Sequence, residues 1–171
     1  MTEQLLFTER QAFRQWWLWL ILLGLFGLFA FGSYMQIILE QDFGNNPMSN
    51  AGLKWGVGLS LLLILGMYSF RLETAIKREG VYVRFFPLEL RYSKHAWEVI
   101  ARSYIREYNP ISEYGGWGWR HGDAQIGKAL SISGRMGLQL EFKNGEKLLI
   151  GTQRAEEIEQ VLEQISKIDV S

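Results

Sequence analysis

The segment from residue 113 to residue 123, EYGGWGWRHGD, concentrates side chains that could do chemistry. Arg120 could bind an anion, and His121 with Asp123 could act as an acid–base pair. Enzymes that use such groups usually also show a nucleophile motif, a phosphate-binding loop or a set of metal ligands, and the sequence has no motif for any of these. We therefore predict that the protein is not an enzyme and has no catalytic residues.

The composition excludes several further classes of function. The 171-residue chain has no cysteine, which removes disulfides and thiolate metal sites, and its two histidines, His95 and His121, are too few for a histidine cluster. We expect no metal and no cofactor. The 18 basic and 18 acidic residues give a formal net charge of zero, so the broad positive field of a nucleic-acid-binding protein is missing.

The tryptophans of the same segment favour a binding surface over a reactive site. The glycines permit a bulge or tight bend, and one interpretation is that both rings simply pack on a sheet. The other is that Trp117, Trp119, Arg120 and His121 form an interaction surface for a protein partner or for the membrane interface. We expect Trp119 to be exposed beside Arg120, and Trp117 to be the ring that packs.

A membrane helix is predicted over residues 15–39, which carry no charged side chain. At about 1.5 Å per residue this helix would extend about 37 Å, enough to cross a bilayer with some tilt. Trp16, Trp17 and Trp19 lie at one end and Tyr34 lies toward the other, as in an aromatic belt. A cleaved signal peptide is the rival interpretation, but no small-residue cleavage site follows the apolar run.

A second membrane helix is predicted over residues 54–71, where Lys54 and Arg71 bound an apolar run of 16 residues. This run is short for a spanning helix, and the two flanking cations could extend toward the headgroups. Gly52, Gly56 and Ser60 recur every fourth residue and give one face small enough for close helix contact. That face is expected to pack on the first helix of the same chain, and a homo-oligomer is the alternative.

The distribution of basic residues predicts the topology. Arg10 and Arg14 precede the first helix, and Arg71, Lys77 and Arg78 follow the apolar run of the second, whereas the connection between the helices has a single basic residue, Lys54, at its end. The positive-inside rule therefore places residues 1–14 and 72–171 in the cytoplasm and residues 40–53 outside. We expect a multi-pass protein of the inner (plasma) membrane with both termini cytoplasmic.

Residues 72–171 show the pattern of a small α+β domain. Apolar and polar residues alternate in short runs, such as residues 81–85 and 138–142, and Asn144-Gly145 is a favoured hairpin turn. From Thr152 the apolar spacing becomes helical, and Ile158, Leu162 and Ile165 are expected to be buried. The pattern predicts about seven antiparallel strands followed by one C-terminal amphipathic helix.

Two stretches of this region, YNPISEYGGWGWR and NGEKLLIGTQRAEEIEQVLEQI, resemble the bacterial PH-like domains (pleckstrin-homology fold) of small membrane proteins. The resemblance covers residues 72–168 and implies a β-barrel or sandwich capped by the terminal helix. Eukaryotic relatives often bind phosphoinositides through basic residues on the first two strands. Here Glu79 and Tyr82 interrupt that cluster, so we expect Arg71, Lys77, Arg78 and Arg84 to make general contacts with anionic lipid headgroups.

These observations lead to two hypotheses about function. The first is a membrane-anchored binding or scaffolding protein that presents a PH-like domain to a protein partner at the cytoplasmic membrane surface. The second is an auxiliary subunit of a transporter or envelope enzyme complex, which would act through its pair of helices. The sequence does not identify the partner in either case.

Overall fold

A computed structural model describes residues 4–122 and 125–168 of the chain. The protein is α+β and divides into two compact units. Residues up to Ala12 together with those from Phe70 onward form one unit, here called the α+β unit. Residues Phe13–Ser69 form the other, here called the helical hairpin.

The helical hairpin consists of two antiparallel helices. Helix α1 spans Trp16–Ser33 and continues as a π-helical turn over Tyr34–Ile38, and α2 spans Asn50–Ser69. Near the connection, the Gln36 side-chain amide donates to the Met48 carbonyl at 2.7 Å and to Asn50 Oδ1 at 2.6 Å. Both helices are long and apolar enough to cross a membrane. Helix α2 begins before the predicted boundary at residue 54 and ends before Arg71.

The α+β unit contains two sheets and two helices. The first sheet has the order β1-β2-β3-β4 and the second has the order β5-β8-β9-β7-β6. The strands are β1 Leu5–Ala12, β2 Arg71–Lys77, β3 Gly80–Phe86, β4 Ser93–Ala96, β5 Ile100–Glu107, β6 Gly118–His121, β7 Lys128–Ser131, β8 Met136–Phe142 and β9 Lys147–Gly151. Helix α3 spans Pro110–Tyr114, helix α4 spans Ala155–Ile168, and a 3₁₀ turn covers Trp97–Val99.

This architecture corrects the predicted one in three respects. The described part of the chain has nine strands, and eight of them, from Arg71 onward, stand where about seven were predicted. They form two sheets, so of the two predicted forms, barrel or sandwich, the closed barrel is not found. The sheets are not wholly antiparallel, because β9 enters between β8 and β7 and runs parallel to β7. The predicted C-terminal helix is present as α4.

Strand β1 lies before the helical hairpin, in a segment to which the sequence pattern assigned no strand. It pairs with β2 in antiparallel register, from Leu5 opposite Lys77 to Ala12 opposite Arg71. Its inward positions include two polar residues, Glu9 and Gln11. Glu9 accepts hydrogen bonds from the Thr152 hydroxyl at 2.6 Å and the Gln153 amide at 2.9 Å. These bonds tie the N-terminal strand to the segment that leads into α4.

Helix α4 buries the first part of its apolar stripe. Ile158 is 1% exposed and Val161 is also buried, whereas Leu162 and Ile165 are only half-buried. The predicted burial is therefore correct for Ile158 and wrong for the other two residues. Ile165 lies seven residues after Ile158 and therefore on the same helix face, so its partial exposure reflects its place in a later turn of the helix. The helix is buried chiefly at positions 158 and 161.

Candidate functional site

Both histidines of the protein line one open cavity of about 250 Å³ in the α+β unit. The cavity, here called the histidine cleft, lies where strand ends of the two sheets meet. His95 comes from β4, His121 is the last residue of β6, and Lys128 is the first residue of β7. The remaining lining residues are Gly122, Gly127, Phe142, Glu146, Lys147 and Leu148.

Tight backbone packing gives the cleft its shape. Gly122 donates its amide to the Gly127 carbonyl at 2.7 Å and thereby closes the connection between β6 and β7. Gly127 has a φ of +82°, and a Cβ at that position would lie 2.3 Å from the Lys147 carbonyl oxygen. Only glycine satisfies both the backbone conformation and this close approach.

The environment of His95 favours its neutral form. Burial lowers the pKa of His95; the negative charge of Glu89 opposes this shift, and the positive charge of Lys128 adds to it. The imidazole packs against the Phe142 ring, with the centroids 5.2 Å apart. A neutral imidazole can donate one hydrogen bond and accept another, so His95 can recognise a polar group without carrying a charge.

The segment GGWGWRH leads to the rim of the cleft. Trp119 is 45% exposed and meets the His121 ring edge to face at a centroid distance of 5.2 Å. Trp117 is half-buried, and its Nε1 donates to the Gly134 carbonyl at 3.1 Å. Arg120 is exposed and its Nε donates to the Trp117 carbonyl at 3.2 Å. The difference in exposure between the two rings is the one expected from the sequence, and their binding role stays a prediction.

The groups around the cleft can bind an organic ligand or a peptide better than a metal. Lys128, Lys147 and Glu146 line the cleft together with apolar Phe142 and Leu148. The Lys147 ammonium lies 3.9 Å from the Glu141 carboxylate, which leaves Lys128 as the lysine better placed for a ligand. Among the residues that the structure describes, no group of three or more His, Cys, Asp or Glu side chains could hold a metal ion. The arrangement can pair a carboxylate with a lysine while an adjacent apolar group contacts Phe142.

The four basic residues predicted to contact lipid headgroups lie at different places on the first sheet. Arg71 is the first residue of β2 and pairs with Ala12 and Phe86. Lys77 is the last residue of β2, about 20 Å away along the strand, and Arg78 follows it in the turn. The structure therefore does not bring Arg71 together with Lys77 and Arg78.

Arg84 belongs to a cluster of charged and aromatic groups on the outer face of the first sheet. Its guanidinium forms an ion pair with Glu73, which also accepts a hydrogen bond from the Tyr92 hydroxyl at 2.6 Å. Arg10 Nε lies 3.4 Å from the other carboxylate oxygen of Glu73. Arg84 also lies over the Tyr92 ring, 4.6 Å from its centroid. These contacts give Arg84 a structural role.

The small-residue face of α2 packs inside the hairpin. A Cβ on Gly56 would lie 2.3 Å from the Phe29 ring of α1, and Ser60 is buried. The Ser60 hydroxyl donates to the Val57 carbonyl at 3.0 Å. Gly52 lies against Met48 and Ser49 in the connection that precedes the helix. These contacts agree with packing within one chain.

Sequence reasoning missed most of the cleft. The sequence assigned no site to His95, and Lys128, Phe142 and Glu146 gave no signal. The hairpin turn at Asn144-Gly145 could have placed Phe142 and Glu146 near each other, because they flank it. The approach of β4 to the ends of β6 and β7 depends on the packing of two sheets, which no local pattern encodes.

No family model matches the chain, and no curated protein matches it in sequence.

Proposed function

We propose that the protein is a membrane-anchored binding protein of the bacterial inner membrane. In this proposal α1 and α2 span the bilayer, and the α+β unit, with the PH-like character implied by the resemblance, presents the histidine cleft to a protein partner. The chemistry of the cleft favours a partner segment that carries a carboxylate next to an apolar side chain. Its role is to hold that partner at the cytoplasmic surface.

One observation carries the proposal: the helical hairpin is inserted between two hydrogen-bonded neighbouring strands. Residues 13–15 connect β1 to α1, and Phe70 alone connects α2 to β2. Because Ala12 and Arg71 are paired in the sheet, both connections leave the α+β unit at one place.

The surface of the hairpin supports a lipid environment. Large apolar side chains remain exposed along both helices, including Leu20, Ile21, Leu59, Leu62 and Leu65. A soluble monomer rarely exposes so much contiguous apolar surface. Aromatic residues lie at both ends of the hairpin: Trp16 and Tyr68 at one end and Tyr34 and Trp55 at the other. Such a distribution is typical of helices that span a bilayer.

The position of the cleft within the α+β unit suits recognition away from the membrane. His95 pairs with Val81, which pairs with Ile76 of β2. Ile76 lies five residues from Arg71, or about 17 Å along the strand. The cleft therefore lies toward the end of the first sheet that is remote from the hairpin connections.

Site-specific photo-crosslinking in native membranes tests this proposal. A photoreactive amino acid at Trp119, on the cleft rim, should capture a partner, and Lys128→Glu should abolish that capture by reversing a charge in the cleft. The matched control is Arg135→Glu, the same charge change at an exposed turn before β8, which should leave capture intact. Equal loss with both variants, or no capture from Trp119, would contradict recognition through the cleft.

The second hypothesis, an auxiliary subunit that acts through its helices, is tested by the same experiment. The predicted face of Gly52, Gly56 and Ser60 is occupied within the hairpin, so a partner helix would contact an exposed position such as Leu62. Capture from a photoreactive residue at Leu62, with none from Trp119, would favour the auxiliary-subunit role.

A further inference from the structure

The loop between β3 and β4, residues 87–92, displays two leucines on the surface of the α+β unit. Leu88 is 56% exposed and Leu90 is 72% exposed. Scattered exposed leucines are ordinary on a protein surface. Leu88 and Leu90, however, lie within three residues of one structured loop. Together they form a small apolar projection, which scattered leucines do not.

The conformation of the loop is fixed by its polar groups, which bond to the first sheet. The Glu89 amide donates to the Phe85 carbonyl at 2.9 Å, and the Glu89 carboxylate accepts from the Phe85 amide at 3.1 Å. Arg84 Nη1 donates to the Leu90 carbonyl at 3.3 Å. Since the sheet holds these polar groups, the aliphatic side chains of Leu88 and Leu90 are the parts of the loop directed away from it.

The loop starts at the strand ends that lead into the helical hairpin. Phe86, the last residue before the loop, pairs with Arg71, and Arg71 also pairs with Ala12. Phe70, which alone separates α2 from β2, places its ring 5.9 Å from the Phe85 ring. Leu88 follows Phe86 by two residues, so at most about 7 Å of chain separates it from this row of paired residues.

We propose that Leu88 and Leu90 insert into the lipid bilayer beside the hairpin and form a second, shallow attachment of the α+β unit. This inference rests on the proposed membrane anchoring. The bilayer is the occupant because the loop begins in the same row of residues from which the two apolar helices leave. Exposed Arg91 lies next to the leucines and can contact lipid phosphate, as basic residues beside inserted apolar groups do. Such an attachment would add a membrane contact of the α+β unit itself to the one made by the two helices.

Depth-dependent fluorescence quenching tests the insertion. The chain has no cysteine, so single cysteines at Leu88 and Leu90 can be labelled with an environment-sensitive fluorophore in the full-length protein. The protein is reconstituted into phosphatidylcholine–phosphatidylglycerol vesicles, with and without nitroxide lipids labelled near the headgroup. We expect a blue-shifted emission at both positions and at least a twofold loss of intensity with the nitroxide lipids.

Val99→Cys is the matched control, because Val99 is an aliphatic residue that is 50% exposed. Val99 comes shortly after Ala96, the last residue of β4, and Ala96 pairs with Gly80 at the start of β3. The Leu88–Leu90 loop leaves β3 at its other end, after Phe86, so the control lies at the opposite end of the strand. Its label should emit as in water and be quenched little. Labels at Leu88 and Leu90 that match the Val99 label would overturn the insertion, as would a blue shift without quenching, which would indicate that protein covers the loop.

Alkaline carbonate extraction of the same vesicles separates this inference from the proposed anchoring. Protein that stays with the vesicles but has water-exposed labels at Leu88 and Leu90 would refute the insertion alone. Protein released by carbonate would refute the anchoring and the insertion together. Near-UV circular dichroism of the unlabelled variants, unchanged from that of the natural sequence, shows that the α+β unit is intact.

Discussion

Glu73 lies on the outer face of the first sheet, where one residue from each neighbouring strand and one from the loop after β3 converge on its carboxylate. Arg10 is opposite it on β1, Arg84 is opposite it on β3, and the Tyr92 hydroxyl reaches it from the loop. Burial raises the pKa of Glu73, but the hydrogen bonds from Tyr92 and Arg84 and the charges of Arg84 and Arg10 outweigh burial and lower the pKa. The ionised form is therefore the one that stabilises this face.

The lowered pKa of Glu73 predicts the direction of a pH effect on stability. A carboxylate with a lowered pKa in the folded state contributes stability above its unfolded-state pKa and loses it as the pH falls through the folded-state pKa. Glu73→Gln should reduce the free energy of unfolding at neutral pH by about 1–3 kcal/mol. The difference from the natural sequence should shrink as the pH falls below about 4.

Urea unfolding of the full-length protein in detergent, followed by near-UV circular dichroism at several pH values, measures this difference. Glu98→Gln is the control, because Glu98 is exposed in the 3₁₀ turn after β4. It should change stability by less than about 0.5 kcal/mol at every pH. A loss on Glu73→Gln that is equally large at acidic pH would show that the charge of Glu73 is not the cause.

At the scale of elements, helix α4 should stabilise the α+β unit through its buried residues Ile158 and Val161, of which Ile158 is the more completely buried. Ile158 is fully buried, so Ile158→Ala removes apolar contacts and leaves a cavity, at an expected cost of about 2–5 kcal/mol. Leu162→Ala on the same helix removes a half-buried side chain and should cost less than half as much. The same urea unfolding measures both variants, and an equal or larger loss for Leu162→Ala would contradict this assignment.

The elements that could be predicted from the sequence are those with a strong local signal. Strands β3 and β8 and helix α4 follow regular apolar spacing, α1 and α2 are uncharged apolar runs, and β9 follows the hairpin turn at Asn144-Gly145. Strand β1 was missed because its inward positions include Glu9 and Gln11, which break the apolar alternation. The partners that make their burial possible are Thr152, Gln153 and Gly151, about 140 residues away in the chain. A local pattern does not reveal such distant compensation.

The histidine cleft was unpredictable for a related reason. The exposure of Trp119 was one of the two outcomes that a glycine-rich segment with two large rings allows, and the sequence alone did not decide between them. The position of His95 depends on the pairing of β4 with β3 and on the packing of both sheets. The unusual position of β9 between β8 and β7 then determines which strand ends meet there.

At the scale of the whole molecule, the connectivity restricts the topology. Strands β1 and β2 are paired, so the segments immediately before α1 and after α2 belong to one folded unit. If α1 and α2 span the bilayer, both of these segments lie on the same side of it. Two spanning helices in antiparallel arrangement satisfy that requirement, and a single span would not. The pairing thus supports an even number of spans, and the distribution of basic residues selects the side.

The chain is therefore predicted to keep both termini in the cytoplasm and to expose the α1–α2 connection outside the cell. A cysteine at Ser49, in that connection, should react with a membrane-impermeant thiol reagent in intact cells. A cysteine at Ser112, an exposed residue of α3, should react only after the membrane is permeabilised, and the absence of natural cysteines removes any background within the chain. Reaction at Ser112 but not at Ser49 in intact cells would reverse the orientation. Equal reaction at Ser49 and Ser112 in intact cells would show that no membrane separates these two residues. The pairing of β1 with β2 puts Ser112 on the same side as both ends of the hairpin, so this result would contradict spanning by α1 and α2.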